Sequence, residues 1–212
     1  MSTPTDRRSQ QRLATRQSIS NAATRLFLER GFEQVTVDEI AAAAEVGRMT
    51  VFNHFPRKED MFFDREEEAL EVLRDSLRHR APEVSPIETL RRLAHALVAQ
   101  KSRYVEFSGA SQAFVQAIKK SETLRARTRA IRDEVAQVVA SEMAQSVGRP
   151  AEDPDARLAA ALLLASWGEA LVQGHRVYAH KRSAKAASAA FLEVVDKGSA
   201  GAACAMAQAP YA

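Results

Sequence analysis

Residues 36–55 read TVDEIAAAAEVGRMTVFNHF, and this stretch decides the fold class. Thr36 offers a hydroxyl to a first-turn amide, and Glu39, three residues on, can bond back to the Thr36 amide. Val35 and Ile40 stand where a hydrophobic staple would close the entry. The spacing predicts two short helices, over 37–44 and 48–54, joined by Glu45-Val46-Gly47. Pro56 stops the second, because the residue before a proline avoids the helical region. Ile40, Ala43, Val46, Val51 and Phe55 can close a small shared core, and the alanines at 41–44 let the two helices approach. This is helix-turn-helix spacing, in which the second helix can lie in the major groove of duplex DNA. That helix presents Arg48, Thr50, Asn53 and His54, hydrogen-bonding residues suited to base edges and phosphates. A helical hairpin with no nucleic-acid role has the same spacing, so the pattern by itself leaves that alternative open.

The flanking sequence is helical throughout. The apolar residues Ile19, Ala22, Ala23, Leu26 and Phe27 recur at helical spacing and predict a helix over 10–30. Gly31 can end it in the left-handed conformation, with Phe32 folding back on Phe27. A long helix is expected over 57–79, and further ones over 87–107, 111–119, 122–147, 154–180 and 184–197. Residues 198–212 are alanine- and glycine-rich with no periodic face and are expected to be disordered. With 8 glycines, 7 prolines and almost no alternating pattern, the chain reads as all-α.

Composition bounds the function. Of 212 residues, 46% are hydrophobic and 27% charged, as in an ordinary soluble globular protein. The single cysteine, Cys204, excludes an intrachain disulfide or a thiolate metal cluster and points to a reducing, cytoplasmic compartment. The longest apolar run, 158–165, is far short of a membrane span, and the polar start resembles no secretory signal. Residues 1–30 hold six arginines (Arg7, Arg8, Arg12, Arg16, Arg25, Arg30) against Asp6 and Glu29, a local net charge of +4 where the whole chain carries +3. A basic arm on a near-neutral body points to an anionic partner, nucleic acid first, or else to a solubilising tail. No catalytic motif occurs: H-E-x-x-H, C-x-x-C, a P-loop and G-x-S-x-G are all missing. The histidines (His54, His79, His95, His175, His180) are scattered, so no metal site, cofactor or enzymatic activity is expected. An all-helical protein-interaction module, or a helical enzyme of unrecognised type, is the competing reading.

Residues 15–63 resemble the N-terminal domain of TetR-family transcriptional regulators. The resemblance is carried by Ala22, Leu26, Phe27, Gly31, Phe32, Thr36, Val37, Ile40, Ala41, Ala44, Val46, Thr50, Asn53, His54, Phe55, Lys58, Glu59 and Phe62. The run F-x-H-F-x-x-K-E-D, Phe52 to Asp60, is its most specific part. The resemblance implies three N-terminal helices for DNA and about six more for ligand binding and dimerisation. It implies a regulator, usually a repressor, that binds palindromic operator DNA as a homodimer and is released by a small hydrophobic effector. Residues 1–56 would then be the arm and DNA-binding domain, 57–198 the ligand-binding and dimerisation domain, and 199–212 a disordered tail. Matching positions put Thr36, Thr50, Phe52, Asn53, His54 and Lys58 at the DNA face beside Arg48. Thr36 and Lys58 would meet phosphates from helix starts. The sequence departs from the family pattern at Glu45, where the turn usually has glycine, at Gly47, where Ser or Thr usually caps, and at Phe52, where tyrosine is common.

Two further expectations concern the C-terminal half. Leu158, Leu162, Ala165 and Val172 form one apolar row, and Ala159, Leu163, Ala170 and Val177 another. A helix apolar on both sides needs two partners, so one row is expected to face the monomer core and the other a second subunit, at an interface built from the helices over 154–180 and 184–197. The effector pocket is expected among the polar or aromatic residues of otherwise apolar helices: Tyr104, Phe107, Phe114, Trp167 and Glu169. Glu169 is the lone charge in its stretch, and a buried carboxylate there would need a partner.

Overall fold

A computed structural model of the chain describes residues 4–212, with side chains from Arg8 onward; the start of the basic arm, including the Arg7 side chain, lies outside the described residues. The helices are α1 (Pro4–Arg30), α2 (Val37–Ala43), α3 (Arg48–His54), α4 (Lys58–Phe62) and α5 (Glu66–Arg78), then α6 (Pro86–Ala99), a 3₁₀ turn (Arg103–Val105), α7 (Gly109–Lys120), α8 (Glu122–Ser146), α9 (Pro154–Lys181) and α10 (Ala184–Ala205). No strand occurs among the described residues, and the fold is all-α, with an N-terminal helix-turn-helix and a larger helical part after it.

The chain forms two compact units. The first contains residues through Glu66 together with Ala113–Thr128. Its core gathers Ile19, Ala23 and Phe27 of α1, Phe32, Val35, Ile40, Val51, Phe55, Met61, Phe62 and Leu124. Gly31 ends α1 with φ +89, and its amide donates to the Phe27 carbonyl at 2.9 Å, a left-handed cap that a residue with a Cβ adopts only under strain. The turn throws Phe32 back onto Phe27, with ring centroids 5.0 Å apart, as the sequence suggested. Phe114 stacks on Phe62 at 4.3 Å, which explains why a distant segment belongs to this unit.

The second unit contains Glu67–Gln112 and Arg129–Ala212. One cluster centres on Leu77, Leu90, Val139, Met143, Leu163 and Tyr211, another on Leu97, Val105, Phe107, Phe191 and Val195. Helices α9 and α10 are closely apposed: a Cβ added to Gly198 would lie 2.2 Å from Cβ of Ser166. Small residues along α10 are what permit that approach.

Three sequence expectations are corrected. The helix expected over 57–79 is interrupted after Phe62, where Phe63 leaves helical geometry (φ −104, ψ 37) and sets its ring edge-on to Phe62 and Phe114. The helix expected over 87–107 stops at Ala99, because Lys101 is left-handed (φ 51) and Ser102 caps a separate 3₁₀ turn. Residues 199–212 are not disordered. Alanine's helix propensity carries α10 to Ala205, Met206 and Tyr211 are buried, and the Tyr211 carbonyl accepts the Ile87 amide at 3.2 Å. Burial, with the Asp153 carboxylate beside it, pushes the Tyr211 phenol up to about 12.

Candidate nucleic-acid interface and apolar cavity

The helix-turn-helix is built as its sequence requires. Thr36 caps α2: its hydroxyl accepts from the Glu39 amide at 3.3 Å, and its own amide donates to the Glu39 carboxylate at 2.8 Å. Arg30 pairs with the same carboxylate at 2.8 Å. The Thr36 amide first, then Arg30 and the Thr36 hydroxyl, hold the Glu39 carboxyl down at about 2, against an ordinary 4.5. The folded state therefore binds this proton more weakly than the unfolded chain. The resulting stability is fully present above about pH 4.5 and is lost as pH falls toward about 2. Glu39→Gln should flatten the acid limb of a plot of Tm against pH in that window and leave the neutral region nearly level.

The turn between α2 and α3 is made by Glu45 at φ 56, with the Val46 amide donating to the Ala41 carbonyl at 3.0 Å. A side chain in this left-handed position costs roughly 1 kcal/mol relative to glycine. Ile40, Val51 and Phe55 are fully buried, and Val46 packs against them. Ala43 points outward and Ala41 takes the inner position, in place of the alanine the sequence suggested. No side chain caps α3, whose N-cap is Gly47.

With Val51 turned inward, α3 displays Arg48, Met49, Phe52 and Asn53 outward, while Thr50 and His54 sit half-buried on its flanks. The Arg48 guanidinium donates to the Asp38 carboxylate at 2.6 Å and lies 5.5 Å from the Phe52 ring centre, so α2 holds this guanidinium from the side. Arg16 of α1 donates to the His54 carbonyl at 2.6 Å and lies over the Phe55 ring at 4.0 Å, closing the C-terminal end of α3. Burial, then Arg12 and Arg16, lower the His54 imidazole from its ordinary 6.5, which favours a neutral ring. Lys58 is half-buried with its ammonium 4.3 Å from the Phe32 ring centre, and burial lowers its pKa against the opposing pull of Glu33, Glu59 and Glu39. Arg8, Arg12 and Arg16 recur every fourth residue of α1 and share one face of that helix.

Sequence reasoning missed Asp38, Arg16 and Met49 as members of this face. The four-residue spacing of the arginines was visible for Arg16. Met49 could have been found by rotating α3 about its one buried residue, Val51. Asp38 carried no signal, because only the turn geometry brings it to Arg48.

In the second unit, Tyr104 and Trp167 line a cavity of about 140 Å³ with Leu73, Leu93, Leu97 and Leu171. Of its lining side chains Tyr104 and Trp167 carry polar atoms, and the Tyr104 hydroxyl donates to Glu68 at 3.2 Å. Phe107 does not line it: that ring is buried against His175 and Phe191. Phe114 belongs to the core of the first unit. Glu169 is exposed on α9 of the single chain, on the same face as Leu162 and Val172, and does not line the cavity. The two apolar rows of α9 separate as their spacing implied. Ala159, Leu163 and Ala170 are buried, while Leu158, Leu162 and Val172 are 49%, 36% and 42% exposed.

A family model described as bacterial regulatory proteins of the tetR family matches residues 19–64, the segment that forms this helix-turn-helix and its supports. Residues 19–64 are thus similar to the DNA-binding domain of that family. The HTH-type transcriptional regulator TcmR of Streptomyces glaucescens is 45% identical over 47 residues, 22% of this chain and 21% of its own. The match thus spans about a fifth of that relative's length. Over the whole fold, the TetR-family repressor FadR of Thermus thermophilus, solved with lauroyl-CoA, is 26% identical with a TM-score of 0.51, covering 86% of this chain and 90% of its own. SmeT, solved with triclosan, has a TM-score of 0.59 at 17% identity, covering 89% and 91% of the two chains. No helix among the described residues is long and apolar enough to cross a membrane.

Proposed function

We propose that the chain is a ligand-responsive transcriptional repressor that binds palindromic operator DNA as a homodimer and is released by a small apolar effector. The observation that carries the reading is the outward face of α3, with Arg48, Met49, Phe52 and Asn53 exposed on a helix otherwise anchored by Val51. In this reading Arg48, Thr50 and Asn53 read bases. Thr36, Phe52, His54 and Lys58 position the backbone, and Arg8 and Arg12 add sequence-independent attraction. One seven-residue helix reads too few base pairs for useful specificity, so two are needed, about one turn of DNA apart or a multiple of it. The exposed Leu158–Leu162–Val172 row supplies the surface on which a second copy would pair. On this reading residues 1–56 bind DNA and the remainder binds the effector and the partner. Selection of bound duplexes from a random library tests it: an inverted repeat should be enriched, and recovery of no preferred sequence would overturn it.

The effector side rests on the apolar cavity. About 140 Å³ walled by leucines and Trp167 is close to the size that takes one benzene ring, and the relative from Thermus thermophilus holds an acyl-CoA. An apolar compound that frees the chain from DNA should shift the emission of Trp167, the only tryptophan. Glu169→Gln should leave that compound's affinity unchanged, because Glu169 does not line the cavity. Tyr104→Phe should alter affinity only for ligands with a hydrogen-bonding group.

A further inference from the structure

We propose that Met49 reads a thymine 5-methyl group in the major groove, in the base pair next to the guanine taken by Arg48; the inference rests on the DNA-binding reading above. Met49 is 72% exposed, more than any other large hydrophobic residue described. The fold does not account for this, because Val51 and Phe55 already anchor α3. Successive residues of α3 turn by about 100°. With Val51 inward, Met49 and Asn53, four apart, fall at the centre of the outward face, and Arg48 and Phe52, also four apart, run beside them. An apolar side chain at the centre of a polar, arginine-bearing face calls for a partner that is anionic overall but carries a small apolar group. Duplex DNA is such a partner, and the thymine methyl is the apolar group on its major-groove edge. A thioether is flexible and polarisable, so it can follow that methyl without a preformed socket. Adjacent helical residues diverge by about 100° while stacked bases lie about 3.4 Å apart along a strand, so Arg48 and Met49 are placed to address neighbouring pairs rather than one and the same. A second copy of the chain is the weaker occupant, because the apolar row suited to pairing lies on α9 instead.

The test uses the full chain and the inverted repeat selected from random duplexes. Each thymine of a half-site is replaced in turn by deoxyuridine, which removes only the 5-methyl. At one position beside the guanine, wild type should bind about fourfold more weakly, the value of one methyl taken out of water. Met49→Ala should bind the thymine and deoxyuridine duplexes equally, and Met49→Leu should restore the preference. Met49 is exposed, so both variants should fold as wild type does. Tolerance of deoxyuridine at every position, or an equal loss in wild type and Met49→Ala, overturns the Met49 assignment and leaves the DNA-binding reading intact. Failure of the chain to enrich any sequence overturns both.

Discussion

A Leu162→Glu chain should sediment as a monomer and lose between about a hundredfold and ten-thousandfold in affinity for a palindromic duplex, while melting at nearly the wild-type temperature. Leu162 is 36% exposed and stands between Leu158 and Val172 on one face of α9. A carboxylate there costs the folded monomer little, because it remains in water. Across an apolar subunit interface it would lose that water, which is costly unless a cation meets it. Once the second recognition helix is no longer tethered, its binding is again bimolecular, and the gain from linking two half-sites is lost. The control is Leu163→Glu. Leu163 is 1% exposed within the core of the second unit, so a charge there should unfold the chain rather than dissociate it. Sedimentation and thermal melting of the two variants separate the faces of one helix. A stable Leu162→Glu dimer with wild-type DNA affinity would show that α9 does not form the interface.

The opposite fates of Leu162 and Leu163 show what patterning can carry. Two apolar rows on one helix required two partners, and the row that turned inward is the one whose alanines, Ala159 and Ala170, allow close packing. The helix-turn-helix was legible for a related reason: a cap, a staple, a turn and a proline stop each act within a few residues. The apolar cavity was legible only in part. Tyr104 and Trp167 were found because aromatic residues in apolar helices tend to wall pockets. Phe107 and Phe114 look the same locally, and only the tertiary arrangement puts their rings elsewhere. The order of the tail leaves no mark in periodicity. Residues 199–205 need no amphipathic stripe when alanine sustains the helix and the buried Met206 and Tyr211 fasten the C-terminal residues beyond it.

The remaining large effect divides the proposed DNA face between recognition and attraction. Arg48→Ala should weaken binding to the selected duplex by about 1–3 kcal/mol and scrambled duplex far less, because a bidentate contact to a guanine edge exists only where that guanine does. Lys58→Ala should weaken both duplexes alike and reduce the slope of log affinity against log salt by about one. The free protein modulates each expectation. Arg48 begins paired with Asp38 at 2.6 Å, in a bridge whose side chains are 59% and 62% exposed, so water and salt already weaken it. Exchanging Asp38 for a guanine therefore costs little, and Asp38→Asn should raise affinity for scrambled DNA by removing an anion from a surface that meets phosphates. Lys58 begins over the Phe32 ring at 4.3 Å and must give up part of that cation–π contact, worth about 0.5–1 kcal/mol at exposed sites, to meet a phosphate. Its loss should accordingly be the smaller of the two. Binding curves for both variants on both duplexes, at several salt concentrations, resolve the two roles. Equal losses on the selected and scrambled duplexes for Arg48→Ala would mean that this arginine contacts only the DNA backbone.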